Sequence, residues 1–347
     1  MLIKSPAKIN LFLYVTGRRN NGYHDLFTLM SCIDLYDEIE LSFNQPKTTV
    51  SCDNPDVPQD ESNLVFKAVD LFKKAYFLFN KTRFSGKLLD KDSPYLMDKD
   101  SPTGLKIHIK KQIPVGAGLG GGSSNAASVL KAINCFYGFP FSLSELMKMG
   151  LQLGADVPFF IQEKAAIAEG IGEKLTPLEQ FEEERCFIAE RKDFISLPLM
   201  KSCYVLLFNP GITASTASVY KNLDLALTKP VKSNIKSLSK SSAILLKKSD
   251  MNQERNRIRA LMHNESVMHN DLEESACTLY PEIGLFKNEL IECVPEKVMM
   301  TGSGSTFFSL FPNREKAQRC FNELSIKWKS GKKKIFLTSL INTDSLM

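Results

Sequence analysis

Residues 5 to 15, SPAKINLFLYV, alternate in character: Ala7, Ile9, Leu11, Leu13 and Val15 fall on one side of an extended chain, and Lys8, Asn10, Phe12 and Tyr14 on the other. A period of two predicts a β-strand. Its second face pairs a lysine and an asparagine with two aromatics, which suits a solvated surface or the wall of a site equally well. GRRNNGYHDL (17 to 26) then supplies a Gly/Asn turn, and a second apolar stretch runs to near Phe43. Residues 62 to 79 space their apolar side chains as a helix does, with Ser62 or Asn63 as its cap. LKIHIKKQIPV (105 to 115) alternates again and delivers the chain into its most glycine-rich segment.

Between these last two elements an octet is written twice, LLDKDSPY and LMDKDSPT (88 to 103). Two short Pro- and Asp-rich copies cannot stack into a solenoid, so they read as a surface loop enlarged by duplication. Further on, Ser142 and Glu145 form an S-x-x-E capping box. It opens a helix with Leu143, Leu146, Met149 and Leu153 on one face and Gly154 at its end. Asp156 is thereby placed just past a helix C-terminus, in a turn pinned by Pro158. VMMTGSGSTFFSLF (298 to 311) reads as strand, glycine turn, strand.

At 347 residues two domains are expected, and 43% hydrophobic with 24% charged residues is ordinary for a soluble globular protein. No window approaches 18 uncharged apolar residues, and the first strand begins at once, so neither a membrane span nor a targeting segment is expected. The eight cysteines (32, 52, 135, 186, 203, 277, 293, 320) show no CxxC pair and read as reduced thiols of a cytoplasmic protein. Four histidines give no metal spacing, His263 and His269 being six apart. The net charge of +5 gathers in lysines at 229 to 248 and 327 to 336; without a nucleic-acid motif these are solvated lysines, and no nucleic-acid partner is expected.

The chemistry concentrates in PVGAGLGGGSSNAASVLKAINCFY (114 to 137). Five glycines stand between 116 and 122, and a helix follows with Ser123 or Ser124 near its cap and Ala126, Leu130, Ile133 and Tyr137 at helical spacing. Glycines let backbone N–H groups approach an anion, and a helix N-terminus adds unpaired donors and partial positive charge. This is a phosphate cradle. Gly116, Gly118 and Gly121 satisfy GxGxxG, but the helix runs on to another helix rather than to a strand ending in an acidic residue, which disfavours a dinucleotide site. No GK[ST] closes the loop, and the VAIK, HRD and DFG signatures of protein kinases do not occur.

With SPAKINLFL, NGYHDL (21 to 26), LGADVPFF (153 to 160) and MTGSGSTFF (300 to 308), the loop completes five motifs in order, and on these the chain resembles the GHMP kinases. The loop is the longer, triple-glycine version of the family's P-x-x-x-G-L-G-S-S-x-A. The match spans the chain except for insertions near 80 to 104, 179 to 201 and 228 to 262. The resemblance implies a two-domain α+β fold: residues 1–175 as an N-terminal domain like domain 2 of ribosomal protein S5, and 176–347 as a ferredoxin-like C-terminal domain. It implies phosphoryl transfer from ATP with Mg²⁺ to a hydroxyl of a small molecule, a cytidine diphosphate methylerythritol, by a cytoplasmic monomer or homodimer. Mevalonate- or homoserine-kinase-like activity, and an inactive nucleotide sensor, are the alternatives.

Residue by residue, the resemblance implies that Lys8 and Asp156 face the reacting hydroxyl. There an aspartate accepts its proton while the ammonium keeps that aspartate ionised and neutralises charge on the moving phosphoryl. The ATP site would comprise Pro114, Val115, Gly116, Ala117, Gly118, Leu119, Gly120, Gly121, Gly122, Ser123 and Ser124 at the phosphates, and Asn63, Leu64, Val65 and Lys111 near the adenine. Asn10, Tyr23, His24, Thr216 and Tyr220 would bind the second substrate, the two tyrosines sandwiching its cytosine and His24 hydrogen-bonding its polar edge. Ser124 is a candidate Mg²⁺ ligand, and no carboxylate ligand is assigned.

Overall fold

A computed structural model of the chain describes residues 1–84, 104–177, 204–223, 268–311, 313–329 and 331–341. The duplicated octets and the insertions at 179 to 201 and 228 to 262 lie outside the described residues. The chain divides into two compact units. The first comprises Met1–Ala7, Leu35–Val115 and Gly120–Glu163; the second comprises Lys8–Asp34, Gly116–Leu119 and Lys164–Met347.

Two long strands, β1 (Leu2–Arg18) and β2 (His24–Gln45), pair with each other and contribute to both units. Alternation in β1 does not divide core from solvent, because every residue from Ser5 to Val15 is buried. Lys8 and Asn10 therefore sit on an interior face. In the first unit, β2 pairs antiparallel with β4 (Gly104–Lys110), placing Ile39 opposite Ile109 and Leu41 opposite Ile107. The short β3 (Thr49–Cys52) runs parallel to β4.

Four helices complete this unit. Asn63 caps α1 (Leu64–Phe84), its Oδ1 accepting from the Val65 N–H at 2.9 Å, and Val65, Ala68, Val69, Phe72 and Tyr76 form the buried stripe. Phe72 packs edge-on to Phe141 at 5.3 Å; truncating such a buried ring to alanine costs about 3–5 kcal/mol. The next helix, α2 (Gly121–Phe136), is buried on most of its circumference, which its small residues Ala126, Ala127 and Ser128 allow. Then come α3 (Leu143–Leu153), with the expected Ser142/Glu145 capping box, and α4 (Val157–Gln162), whose N-cap is Asp156.

In the second unit the first part of β2 pairs antiparallel with β5 (Ala166–Gly170), and β5 with β6 (Lys174–Pro177). A separate antiparallel sheet is built from β7 (Tyr204–Asn209), β8 (Met299–Met300), β9 (Phe307–Phe311) and β10 (Lys334–Ser339), in the order β10-β7-β9-β8. With α5 (Thr216–Asn222), α6 (Leu272–Leu279) and α7 (Pro281–Cys293) between β7 and β8, and α8 (Arg314–Lys327) between β9 and β10, this is the ferredoxin-like order. Its core gathers Leu206, Phe208, Phe286, Phe307 and Trp328. The described cysteines form no disulfide, and no described helix is long and apolar enough to cross a membrane.

Candidate active site

Strand β1 positions a buried ammonium in the second unit. Lys8 is 4% exposed, and its Nζ donates to Asn10 Oδ1 at 2.5 Å. Period two sets the pair on one face of the strand. The orientation of the Asn10 amide is fixed independently: Thr28 Oγ1 donates to the Phe12 carbonyl at 2.5 Å and so accepts from Asn10 Nδ2 at 2.8 Å, leaving the amide oxygen for the ammonium. The Asn10 N–H donates to Thr301 Oγ1 at 2.9 Å, tying this face of β1 to the TGSGST turn. A Cβ on Gly302 of that turn would lie 3.4 Å from Lys8 Nζ.

Gly116–Leu119 packs with the same turn. The Lys8 N–H donates to the Leu119 carbonyl at 3.1 Å and the Thr306 N–H to the Ala117 carbonyl at 3.2 Å. Gly118 has φ +78°, and a Cβ there would stand 2.2 Å from the Thr301 carbonyl oxygen, so only glycine lets the two backbones approach. The Ala214 N–H donates to the Gly116 carbonyl at 3.3 Å, and Thr216 Oγ1 lies 2.8 Å from Ser303 Oγ. Asn270, which the sequence reading did not single out, clamps the turn by donating to the Met300 and Gly302 carbonyls, both at 2.8 Å.

The rest of the glycine loop belongs to the first unit. The cap of α2 is Gly120, at φ +69°, and not Ser123 or Ser124, which fall in the first helical turn. No side chain caps this end and no acidic residue stands in its first turn. An anion suits such a terminus. Gly122 is exposed, with the Leu64 side chain 3.8 Å from where its Cβ would be. Ser124 is fully buried, its hydroxyl 2.8 Å from Ser5 Oγ; of the two serines, Ser123 is the partly exposed one. A Cβ on Gly154 would lie 3.8 Å from Ser123 Oγ, so this hydroxyl adjoins the turn that carries Asp156. Asp156 is half-buried, and its side chain makes no cap bond to α4. Pro114 and Val115 are half-buried at the mouth of the loop.

Lys111, expected near the adenine, pairs with a buried acid. Its Nζ lies 2.7 Å from the Cβ position of Gly121 and bonds the carboxylate of Asp37, a fully buried residue the sequence reading missed. Alternation within β2 carries the signal that would have found it. Leu35, Asp37, Ile39 and Leu41 share one face, and all four are buried.

Also in the second unit, His24 and Tyr220 stack with ring centroids 5.4 Å apart and 28° between planes. The imidazole is 6% exposed, and its buried Nε2 has no hydrogen-bond partner among the described residues. Burial, and then the positive charge of Arg18, pull its pKa below the usual histidine range despite the opposing pull of Asp25. Tyr23 exposes 58% of its surface at the tip of the turn, while Tyr220 is half-buried against the second unit's core.

A glycine loop opening a helix that no side chain caps is suited to phosphate, and the second unit separately holds a buried ammonium on a strand face. Two family profiles match the chain, the GHMP kinases N terminal domain over residues 63–164 and the GHMP kinases C terminal domain over 245–330. The chain is 35% identical over 321 residues to the 4-diphosphocytidyl-2-C-methyl-D-erythritol kinase of Geobacter sp. (strain M21), covering 92% of each protein. To the enzyme of the same name from Clostridium botulinum (strain Alaska E43 / Type E3) it is 35% identical over 328 residues, covering 94% of this chain and 97% of that one. A crystal structure of 4-(cytidine 5'-diphospho)-2C-methyl-D-erythritol kinase superposes with a TM-score of 0.64 at 27% identity, covering 98% of this chain and 99% of its own. The chain belongs to the GHMP kinases.

Proposed function

We infer that this protein transfers the γ-phosphoryl of ATP to the 2-hydroxyl of 4-diphosphocytidyl-2-C-methyl-D-erythritol, a step of the non-mevalonate route to isoprenoid precursors. Support comes from relatives of that name matched over more than nine-tenths of the chain. The single observation that carries the choice of substrate is the His24–Tyr220 pair: a stacking ring beside a buried imidazole nitrogen that has no partner among the described residues. A base stacks on either ring, but a hydrogen bond to its polar edge chooses cytosine. Tyr23 at the turn tip and Thr216 beside Ser303 complete the substrate set with Asn10.

In the reaction Asp156 accepts the proton of the hydroxyl, and Lys8, oriented by Asn10, neutralises charge on the moving phosphoryl. A loose, metaphosphate-like transfer asks for positioning and charge rather than for covalent help. The N–H groups from Gly116 to Ser124 hold the phosphates, while Asn63, Leu64, Val65 and Lys111 border the adenine. Mg²⁺ would enter with the phosphates of ATP. Such an ion neutralises phosphate charge. Ser123 is the hydroxyl this chain offers it, since that of Ser124 bonds Ser5. We keep 1–175 and 176–347 as the domains, in a cytoplasmic monomer or homodimer.

Incubation with ATP, Mg²⁺ and the cytidine substrate, followed by mass analysis, tests the reading. The expected product gains one phosphate, located on the 2-hydroxyl by NMR. Faster turnover of mevalonate or homoserine in the same assay would overturn it.

A further inference from the structure

Asp37 is a charged group with no part in the chemistry above, and it is completely buried. Its Oδ1 accepts from the backbone N–H groups of Gln112 and Ile113, each at 2.9 Å. Its Oδ2 accepts from Asn125 Nδ2 at 2.9 Å and from Lys111 Nζ. Four donors thus converge from two segments, the exit of β4 leading into the glycine loop and the second turn of α2. Asn125 extends the network by donating to Ser5 Oγ at 3.0 Å, which in turn meets Ser124.

Two features mark this network as more than core filling. A carboxylate with every acceptor position occupied is costly to bury, and an apolar residue of similar volume would pack the same space without that cost. The Lys111 ammonium, its side chain 5% exposed, lies beside Gly121 at the positive end of α2, where a helix disfavours a cation. Asp37 is what makes that placement tolerable. It fixes both the ammonium and the 111–113 backbone against the helix terminus that receives phosphate.

We propose that Asp37 is a positioning residue for the nucleotide: it locks residues 111–113 and Asn125 together and so sets the geometry of the ATP site without touching ATP. The proposal rests on the reading of the chain as an ATP-dependent kinase. It predicts a loss confined to one of the two substrates, which a general weakening of the core would not produce.

The test titrates full-length protein with ATP and, separately, with the cytidine substrate, for wild type, Asp37→Asn, Lys111→Met and the two substitutions combined. Asp37→Asn keeps an oxygen for the Gln112 and Ile113 amides but turns a donor toward Lys111 and Asn125. ATP affinity should fall at least about tenfold, with affinity for the cytidine substrate unchanged within about twofold. The double variant removes the stranded ammonium, so its thermal midpoint should recover. Because Lys111 itself borders the adenine, the double variant is read against Lys111→Met alone, and its ATP affinity should be lower again by at least about threefold. That comparison carries the test if Asp37→Asn fails to fold, and equality of the two would overturn the proposal. ATP affinity within about twofold of wild type in either Asp37 variant, or equal losses for both ligands, would overturn it as well. Wild-type protein that binds no ATP would instead overturn the kinase reading on which it rests.

Discussion

Lys8 Nζ is bonded to Asn10 Oδ1 at 2.5 Å, on a strand face sealed from solvent. The amide is a neutral acceptor, so it orients the ammonium without cancelling its charge. Asn10→Asp keeps the shape and changes that balance. A carboxylate would neutralise Lys8 and would face the Thr28 oxygen, whose proton is committed to the Phe12 carbonyl. Turnover should drop by at least about tenfold, and stability by about 1–3 kcal/mol for the unsatisfied buried pair. Steady-state kinetics with a urea titration measures both; wild-type turnover would separate Lys8 from the chemistry.

Asp156→Asn should lower turnover by about 10²- to 10⁴-fold, the usual range for loss of a positioned base. Asparagine keeps the size and shape of the side chain, and no cap bond to α4 is at stake, so the fold and the affinity for ATP should both survive. Turnover close to wild type would place the base elsewhere.

Two glycines of the loop should behave oppositely. Gly118→Ala forces a Cβ to 2.2 Å from the Thr301 carbonyl at positive φ, and should cost about 2 kcal/mol or more. Gly122→Ala meets only Leu64, at 3.8 Å, so stability should stay within about 0.5 kcal/mol. The added methyl would still crowd a phosphate drawn to this helix end, and ATP affinity should weaken by about tenfold. Thermal melts paired with ATP titrations distinguish the two cases.

If Tyr220 stacks the cytosine as proposed, Tyr220→Ala should weaken the cytidine substrate by about 1–3 kcal/mol while leaving ATP binding unchanged. Calorimetric titration of each ligand reports this. Equal losses would point to damage in the second unit's core, on which Tyr220 also packs.

His24 makes the protein's stability depend on pH. Its pKa is lowered in the native state, so folding favours the neutral imidazole. That contribution is complete above the unperturbed value of 6.5 and is lost as pH falls below it, through the lowered native pKa. Urea midpoints measured from about pH 8 down to about pH 5 should therefore fall more steeply for wild type than for His24→Asn. Parallel curves would mean that the imidazole titrates alike in the folded and unfolded states.

Much of this was legible in the sequence because it is local. Period-two runs gave β1 and β4, helical spacing gave α1 and α2, and the Ser142/Glu145 box gave the start of α3. Glycine spacing pointed to a loop where backbone N–H groups are left open at a helix N-terminus, and α2 does start there without a side-chain cap. Ser123 and Ser124 do lie near the cap of α2, in its first turn, but the cap itself, Gly120, was not named. A left-handed glycine performs the same boundary function without a side chain to advertise it.

By itself the sequence determined β1, β4, α1, α2 and α3, the glycine loop that opens α2, and the presence of a lysine and an asparagine two residues apart on one strand. Only the tertiary structure decided that this face is interior, because alternation reports which side chains share a face and not what covers it. The same holds for Asp37. Its position among Leu35, Ile39 and Leu41 was readable, but its four donors come from residues 74 to 88 positions away, brought together by strand pairing and helix packing. Hydrogen bonds across such separations leave no period in the chain, so the polar network under the phosphate loop exists only once the fold has formed.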